Sequence, residues 1–243
     1  MPDRRRSPRV DGDLPVKVGV PADLEDDPFV GAAVLGVLEE KDRRYLAERS
    51  RRRRVDKGQV LFCEGDFSDS VLVLVSGRMK VVKYSNDGAE FILSTVVPGE
   101  TIGELGVLSS GPRSATVQAT EESVVLVLAG SVIIDLISER PALAIALLQR
   151  LSDMVRRITG VATDLVFLDL KQRVAKYLLQ RAIGDPPPAE QAVTQSDLAA
   201  NIGASRQRVN ACLRDFQRQG WISMGSRSLR VIDREALTRI IAF

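Results

Sequence analysis

GELGVLSSGPRSAT, residues 103–116, sets an acid, Glu104, and a base, Arg113, at the two ends of a segment built mostly of small and apolar residues. An ion pair on a surface loop would need no such spacer. The conformation-setting Gly103 and Pro112 argue instead for a built pocket between the two charges. From Val55 to about Leu128 the segment is embedded in short β-type runs: VLF, SVLVLVSG, MKVVKY, EFILSTVV, SATVQAT and SVVLVL. Turn signals at 64–66, 76–77, 86–88, 98–99 and 111–112 recur at the spacing of an all-β sandwich or barrel, so a small β-barrel is expected here.

Upstream, residues 1–28 are rich in proline and charge and carry too little apolar material to pack, which reads as a mobile extension. Residues 29–46 place Val34, Leu35, Leu38, Tyr45 and Leu46 at the spacing of a short helical lead-in. The basic run Arg49–Arg54 reads as a solvated helix end and strand start rather than a nucleic-acid patch, because it lacks aromatic partners.

Downstream the period changes. Over residues 141–168, Leu147, Met154, Val161 and Leu168 repeat every seven residues, as do Leu151, Ile158 and Leu165, and Leu148, Val155 and Ala162. Such a stripe is wide enough to cover the barrel and also to zip to a second copy, so this is the expected dimerisation helix of a parallel homodimer. After Asp169, LKQRVAKYLLQRA reads as an amphipathic helix and GDPPPAEQ as a loop in which prolines forbid helix. Thr194 heads a capping box with Asp197, and Leu198 and Ile202 face inward on the helix that follows. Ser205 is the natural N-cap of the next helix and Gly220 its stop. There Val209, Leu213 and Phe216 turn to the core and leave Arg206, Gln207, Asn210 and Arg214 on the other face, with Arg208 beside them. Arginines and amides at that end of a second helix are the side chains that bond base edges in a major groove. A hairpin with Arg227 at its tip supplies a wing, so residues 169–243 read as a winged helix-turn-helix whose partner is double-stranded DNA. Charge agrees: from Asp169 to Phe243 there are 12 Lys and Arg against 7 Asp and Glu, which leaves −3 for the first 168 residues.

Composition removes other classes. With 243 residues and 44% hydrophobic content, two domains are the natural expectation. With no histidine, neither a Ser-His-Asp nor a Cys-His nucleophile can form, nor His-ligated zinc or haem. Walker-type and GxGxxG loops are missing as well, so no catalytic residue is assigned and an enzyme is not expected. The 2 cysteines, Cys63 and Cys212, match no metal or iron–sulfur spacing. Neither an apolar run long enough to span a membrane nor a secretory leader is seen, so a cytoplasmic location is expected.

Three motifs, in order, carry a resemblance. KGQVLFCEGDFSDSVLVLVSGRMKVV (57–82) looks like the β-roll of the CRP/FNR family of bacterial regulators, GELGVLSSGPRSAT like its phosphate-binding cassette, and GASRQRVNACLRDFQRQGWI (203–222) like its recognition helix. The resemblance runs from about Phe29 to the C-terminus. It implies an α+β protein with a jelly-roll-like cyclic-nucleotide-binding β-roll at 29–140, a dimerisation helix at 141–168 and a winged helix-turn-helix at 169–243. It further implies a cyclic-nucleotide effector with cAMP the first choice, a palindromic operator and RNA polymerase as a partner. A cyclic nucleotide carries one phosphate charge and a free ribose 2′-hydroxyl. In the cassette Arg113 forks onto the phosphate, Ser114 donates to it and Glu104 accepts the hydroxyl, with Gly103, Leu105 and Ala115 completing the wall. In the family a Thr-Ser pair on the long helix reads the base. Aligned from FLD this chain offers Ile158 and Thr159, and aligned from RR it offers Val161 and Ala162, so Thr159 is the expected base contact. A second reading keeps the DNA-binding half and gives the cassette another nucleotide or none.

Overall fold

The computed structural model describes residues 27–181, 195–225 and 229–241. The expected N-terminal extension up to residue 26, the proline loop, Thr194 and Arg227 lie outside the described residues.

Two four-stranded antiparallel sheets face one another. One runs in the order β1 (Arg51–Val55), β8 (Ser123–Ala129), β3 (Ser70–Ser76), β6 (Thr101–Ile102), the other β2 (Val60–Phe62), β7 (Thr116–Ala119), β4 (Met79–Tyr84), β5 (Glu90–Val96). The β-type runs and turns foretold a small β-barrel or sandwich; the non-sequential neighbours make it the jelly-roll-like β-roll that the resemblance implies. The run SVLVLVS in β3 is almost wholly apolar because both its faces are covered. Leu72 and Leu74 point between the sheets, into a core with Leu61, Met79, Val117 and Val125. Val71 and Val73 point outward and pack under helices, with Phe29, Leu35, Leu46, Ile133 and Leu143.

Those helices are α1 (Glu40–Arg49), α3 (Gly130–Glu139) and the first turns of α4 (Pro141–Phe167). An ion pair clasps them: Arg140 Nε and Nη2 donate to the two carboxylate oxygens of Asp42 at 2.7 and 2.9 Å. The lead-in differs from expectation, since residues 29–38 form turns and one 3-10 turn at Leu35–Val37 before α1 begins. Tyr45 turns outward, where Arg49 stacks over its ring at 3.8 Å. The basic run is the end of α1 followed by strand β1, an edge strand that keeps four arginines in water.

Helix α4 has 27 residues, a length of about 40 Å, with Pro141 in its first turn, where the missing N–H costs nothing. Leu143, Ala146 and Leu147 bury against the β-roll, whereas Leu148, Val155, Ile158 and Leu165 stay uncovered in the single chain.

Beyond it, α5 (Leu170–Arg181), α6 (Gln195–Ile202), α7 (Arg206–Arg218), the antiparallel pair β9 (Ile222–Met224) and β10 (Leu229–Val231), and α8 (Arg234–Ile241) share a second core. It is built on Val174, Leu178, Leu198, Val209, Leu213 and Phe216. The second domain leans on the first. Ala200 of α6 packs with Val82 of β4 and Ile92 of β5, and the carbon that any side chain would add at Gly203 falls 3.4 Å from the Phe91 ring. Among the described residues no helix is long and apolar enough to cross a membrane.

Candidate functional site

Strand β6 delivers the chain into Gly103, whose φ of +84° is the left-handed conformation that glycine adopts without strain. A side chain there would also overlap Nη1 of Arg113. The spacer that follows is the short helix α2 (Glu104–Leu108), absent from the expected elements because five residues carry no period. Its end is tied down by the Gly111 N–H donating to the Gly106 carbonyl at 2.9 Å. Pro112 does not aim Arg113 alone. The Arg113 backbone pairs with the β2–β3 loop, its N–H to the Asp66 carbonyl and its carbonyl to the Gly65 N–H, each at 2.9 Å.

The Arg113 side chain is 5% exposed. Nη1 donates to the carbonyls of Ser70 (2.8 Å) and Gly103 (3.0 Å), and Nη2 to Ser70 Oγ (2.9 Å). The Phe62 ring lies 4.3 Å beneath the guanidinium. Nε is buried with no partner, and among the described residues no carboxylate stands within ion-pair distance of this cation. Burial pulls its pKa below the ordinary arginine value, and the fields of Asp69, Asp66 and Glu104 oppose that pull. The group stays charged at neutral pH. A buried cation held by two neutral carbonyls and a hydroxyl, with Nε–H and one Nη2–H spare, is a seat for an anion.

That seat opens into a cavity of about 430 Å³ between the β-roll and α4, within the roughly 300–1,000 Å³ of small-molecule pockets. Gly103, Glu104, Leu105, Arg113, Ser114 and Ala115 all line it. Thr159 does not. It is exposed on α4 beside Ile158, which does line the cavity, as do Asp153, Met154 and Arg157. Val161 and Ala162 are not in the wall, so of the two registers only the one counted from FLD places a residue there, and that residue is Ile158 rather than Thr159. Glu104 is 7% exposed, and its carboxylate Oε1 lies 3.5 Å from Nε of Arg150 on α4. Ser70, Phe62 and Arg150 went unread in the sequence because they come from 43 to 51 residues away from the groups of Arg113 and Glu104 that they touch.

On α7 the Ser205 hydroxyl accepts from the Arg208 N–H at 3.4 Å, and Gly220 with φ +74° follows the helix end. Val209, Leu213 and Phe216 are fully buried. Arg206, Gln207, Arg208 and Arg214 are exposed and Asn210 is half-buried; none of the three arginines makes an ion pair with a described residue. Not every base of this half faces outward. Lys171 pairs with Asp215 and Lys176 with Asp164, each at 2.6 Å, and Arg173 caps the Ile202 carbonyl at 3.2 Å, so these three bases are spent inside the fold. Among the described residues no cluster suited to hold a metal ion is present.

Residues 52–140 match the model of the cyclic nucleotide-binding domain and residues 172–240 that of the Crp-like helix-turn-helix domain. A CRP-like cAMP-activated global transcriptional regulator of Mycobacterium tuberculosis is 32% identical over 189 residues, 75% of this chain and 84% of the relative. The cyclic AMP receptor protein of Thermus thermophilus is 30% identical, over 79% of this chain and 88% of its own. Among solved structures, the c-di-GMP responsive global regulator CLP of Xanthomonas campestris superposes with a TM-score of 0.71 at 21% identity, covering 79% of this chain and 99% of its own, a likeness of fold.

Proposed function

Since the chain belongs to the CRP/FNR family of DNA-binding transcription regulators, we propose that it acts as a homodimer whose operator binding is controlled by a cyclic nucleotide, cAMP first. The observation that carries this reading is the buried guanidinium of Arg113, paired with no carboxylate among the described residues and facing a cavity of nucleotide size. In this reading Arg113 and Ser114 take the phosphate and Glu104 the ribose 2′-hydroxyl, against the backbone of Gly103, Leu105 and Ala115. Thr159 belongs to the dimer, on the flank of α4 left uncovered by the single chain. Arg206, Gln207, Arg208, Asn210 and Arg214 meet DNA, and Ser205 sets the helix start. The domain limits 29–140, 141–168 and 169–243 belong to the same reading.

Removing a charge-assisted contact of this kind costs about 2–3 kcal/mol, roughly 30- to 150-fold in affinity. Arg113→Ala should therefore lose nucleotide binding in calorimetry while its thermal unfolding remains cooperative. Unchanged affinity would sink the assignment. A second ligand has its own support, because the α4 wall of the cavity presents Asp153, Met154, Arg157 and Ile158 and no hydroxyl. Titrating cAMP and cGMP side by side separates the two.

A further inference from the structure

Arg150 stands on α4, yet all three of its guanidinium nitrogens are taken up by the segment leading into the cassette. Nε faces Glu104 Oε1 at 3.5 Å, Nη1 faces Glu100 Oε1 at 3.3 Å and Nη2 donates to the Thr101 carbonyl at 3.0 Å. Arg150 and Glu104 both line the cavity. Among the described residues Arg150 is the only cation within ion-pair distance of the nearly buried Glu104.

From this geometry we infer that Arg150 is a positioning residue for the nucleotide: it fixes the Glu104 carboxylate so that one oxygen meets the ribose 2′-hydroxyl, and it keeps that carboxylate off Arg113. The inference rests on the ligand reading above and adds a residue to it. Two physical steps support it. A carboxylate this buried requires a counter-ion, and if Arg150 is removed the other cation whose field reaches Glu104 is Arg113. Glu104 would then turn toward Arg113, and an entering phosphate would have to compete with it. Secondly, a hydroxyl bond to a carboxylate discriminates only when the acceptor is held in place, and three anchored nitrogens hold it more firmly than one. Because those anchors join α4 to β6 and to the loop before it, the same contact ties the sugar to the long helix.

The test is a chemical cycle: calorimetry of cAMP, cGMP and their 2′-deoxy counterparts on the full chain, on Arg150→Gln and on Arg150→Lys. On the unaltered chain, deleting the 2′-hydroxyl should cost about tenfold or more in affinity. Arg150→Gln should weaken the parent nucleotide and bring the parent-to-deoxy ratio close to one, while Arg150→Lys, with its charge but no fork, should recover part of the ratio. A purely structural role would lower both affinities equally and leave the ratio unchanged, which overturns the inference even if Arg150→Gln binds weakly. If the unaltered chain binds neither nucleotide, the ligand reading falls and this one with it. If it binds them without regard to the 2′-hydroxyl, only the role given to Glu104 and Arg150 is overturned.

Discussion

Gly103 has two separate reasons to be glycine, and they can be pulled apart by comparison. Gly88 shares its φ of +84° but has open space where a side chain would go, so Gly88→Ala suffers backbone strain alone, of order 1–2 kcal/mol. Gly103→Ala suffers the same strain and also pushes Arg113 off the Ser70 and Gly103 carbonyls. Both variants should unfold at lower temperature; only Gly103→Ala should also lose nucleotide affinity, by tenfold or more in calorimetry. Asp42 offers a pH test at the same scale. Hydrogen bonds from Arg140 hold its carboxyl below the usual range, against the opposing effect of burial. A carboxyl lowered on folding stabilises the fold above its unfolded pKa, near 3.9, and that contribution disappears as pH falls through the folded value. Asp42→Asn should therefore melt below the parent at pH 7, and the gap in Tm should close on acidification below about pH 4. The cassette residues were legible in sequence because Gly103, Glu104, Pro112 and Arg113 stand together in one short segment. Ser70, Phe62 and Arg150 were not, because only the folded sheets and α4 bring them there.

Helix α4 was legible for a different reason, namely that a seven-residue period sustained over three heptads has no strand equivalent. The structure divides the stripe as that width foretold. Its first turns pack on the β-roll, and the rest faces away from the chain's own core. Val155 is 62% exposed in the single chain, so Val155→Glu should leave the fold and its melting intact while breaking the pairing of two helices. Sedimentation as a monomer is the expected result; a dimer of unchanged affinity would count against the seam. Shorter elements escaped. The run Val132–Ile134 in α3 looks like a strand, since adjacent β-branched residues dominate and only Ile133 and Leu136 reveal the buried side. Helix α8 has eight residues, little more than two turns; Ala236, Leu237, Ile240 and Ile241 do share its packed side, but so short a window does not identify a helix. Strand β1, four arginines and a valine, was read as a strand start from its place after a helix end and not from propensity; its pairing with β8 keeps it extended.

At the scale of the molecule, β5 serves both halves. Leu93, Ser94, Thr95 and Val96 line the cavity, while Phe91 and Ile92 seat α6 of the DNA-binding domain. Alongside α4, this gives the proposed nucleotide site and the helix-turn-helix domain two physical connections, and any free energy that links their ligands must be the same in both directions. Nucleotide affinity measured with and without a palindromic duplex should shift by the same factor as duplex affinity measured with and without nucleotide, within the roughly 5- to 150-fold usual for such coupling. If both ligands bind and neither constant moves, the proposed control is absent. The shared strand also limits how the chain can change its length. Its pairing with β4 already absorbs one irregularity between Val81 and Val82, and a further residue between the cavity wall and the α6 seat would turn Phe91 and Ile92 to the opposite face. Among the described residues the hairpin tip is bound only to itself, the Ser85 N–H donating to the Ala89 carbonyl and the Gly88 N–H to the Ser85 carbonyl, each at 2.9 Å. Across descendants of this sequence, insertions and deletions will therefore gather at residues 86–88, and the six residues from Phe91 to Val96 will keep their spacing even as their identities drift.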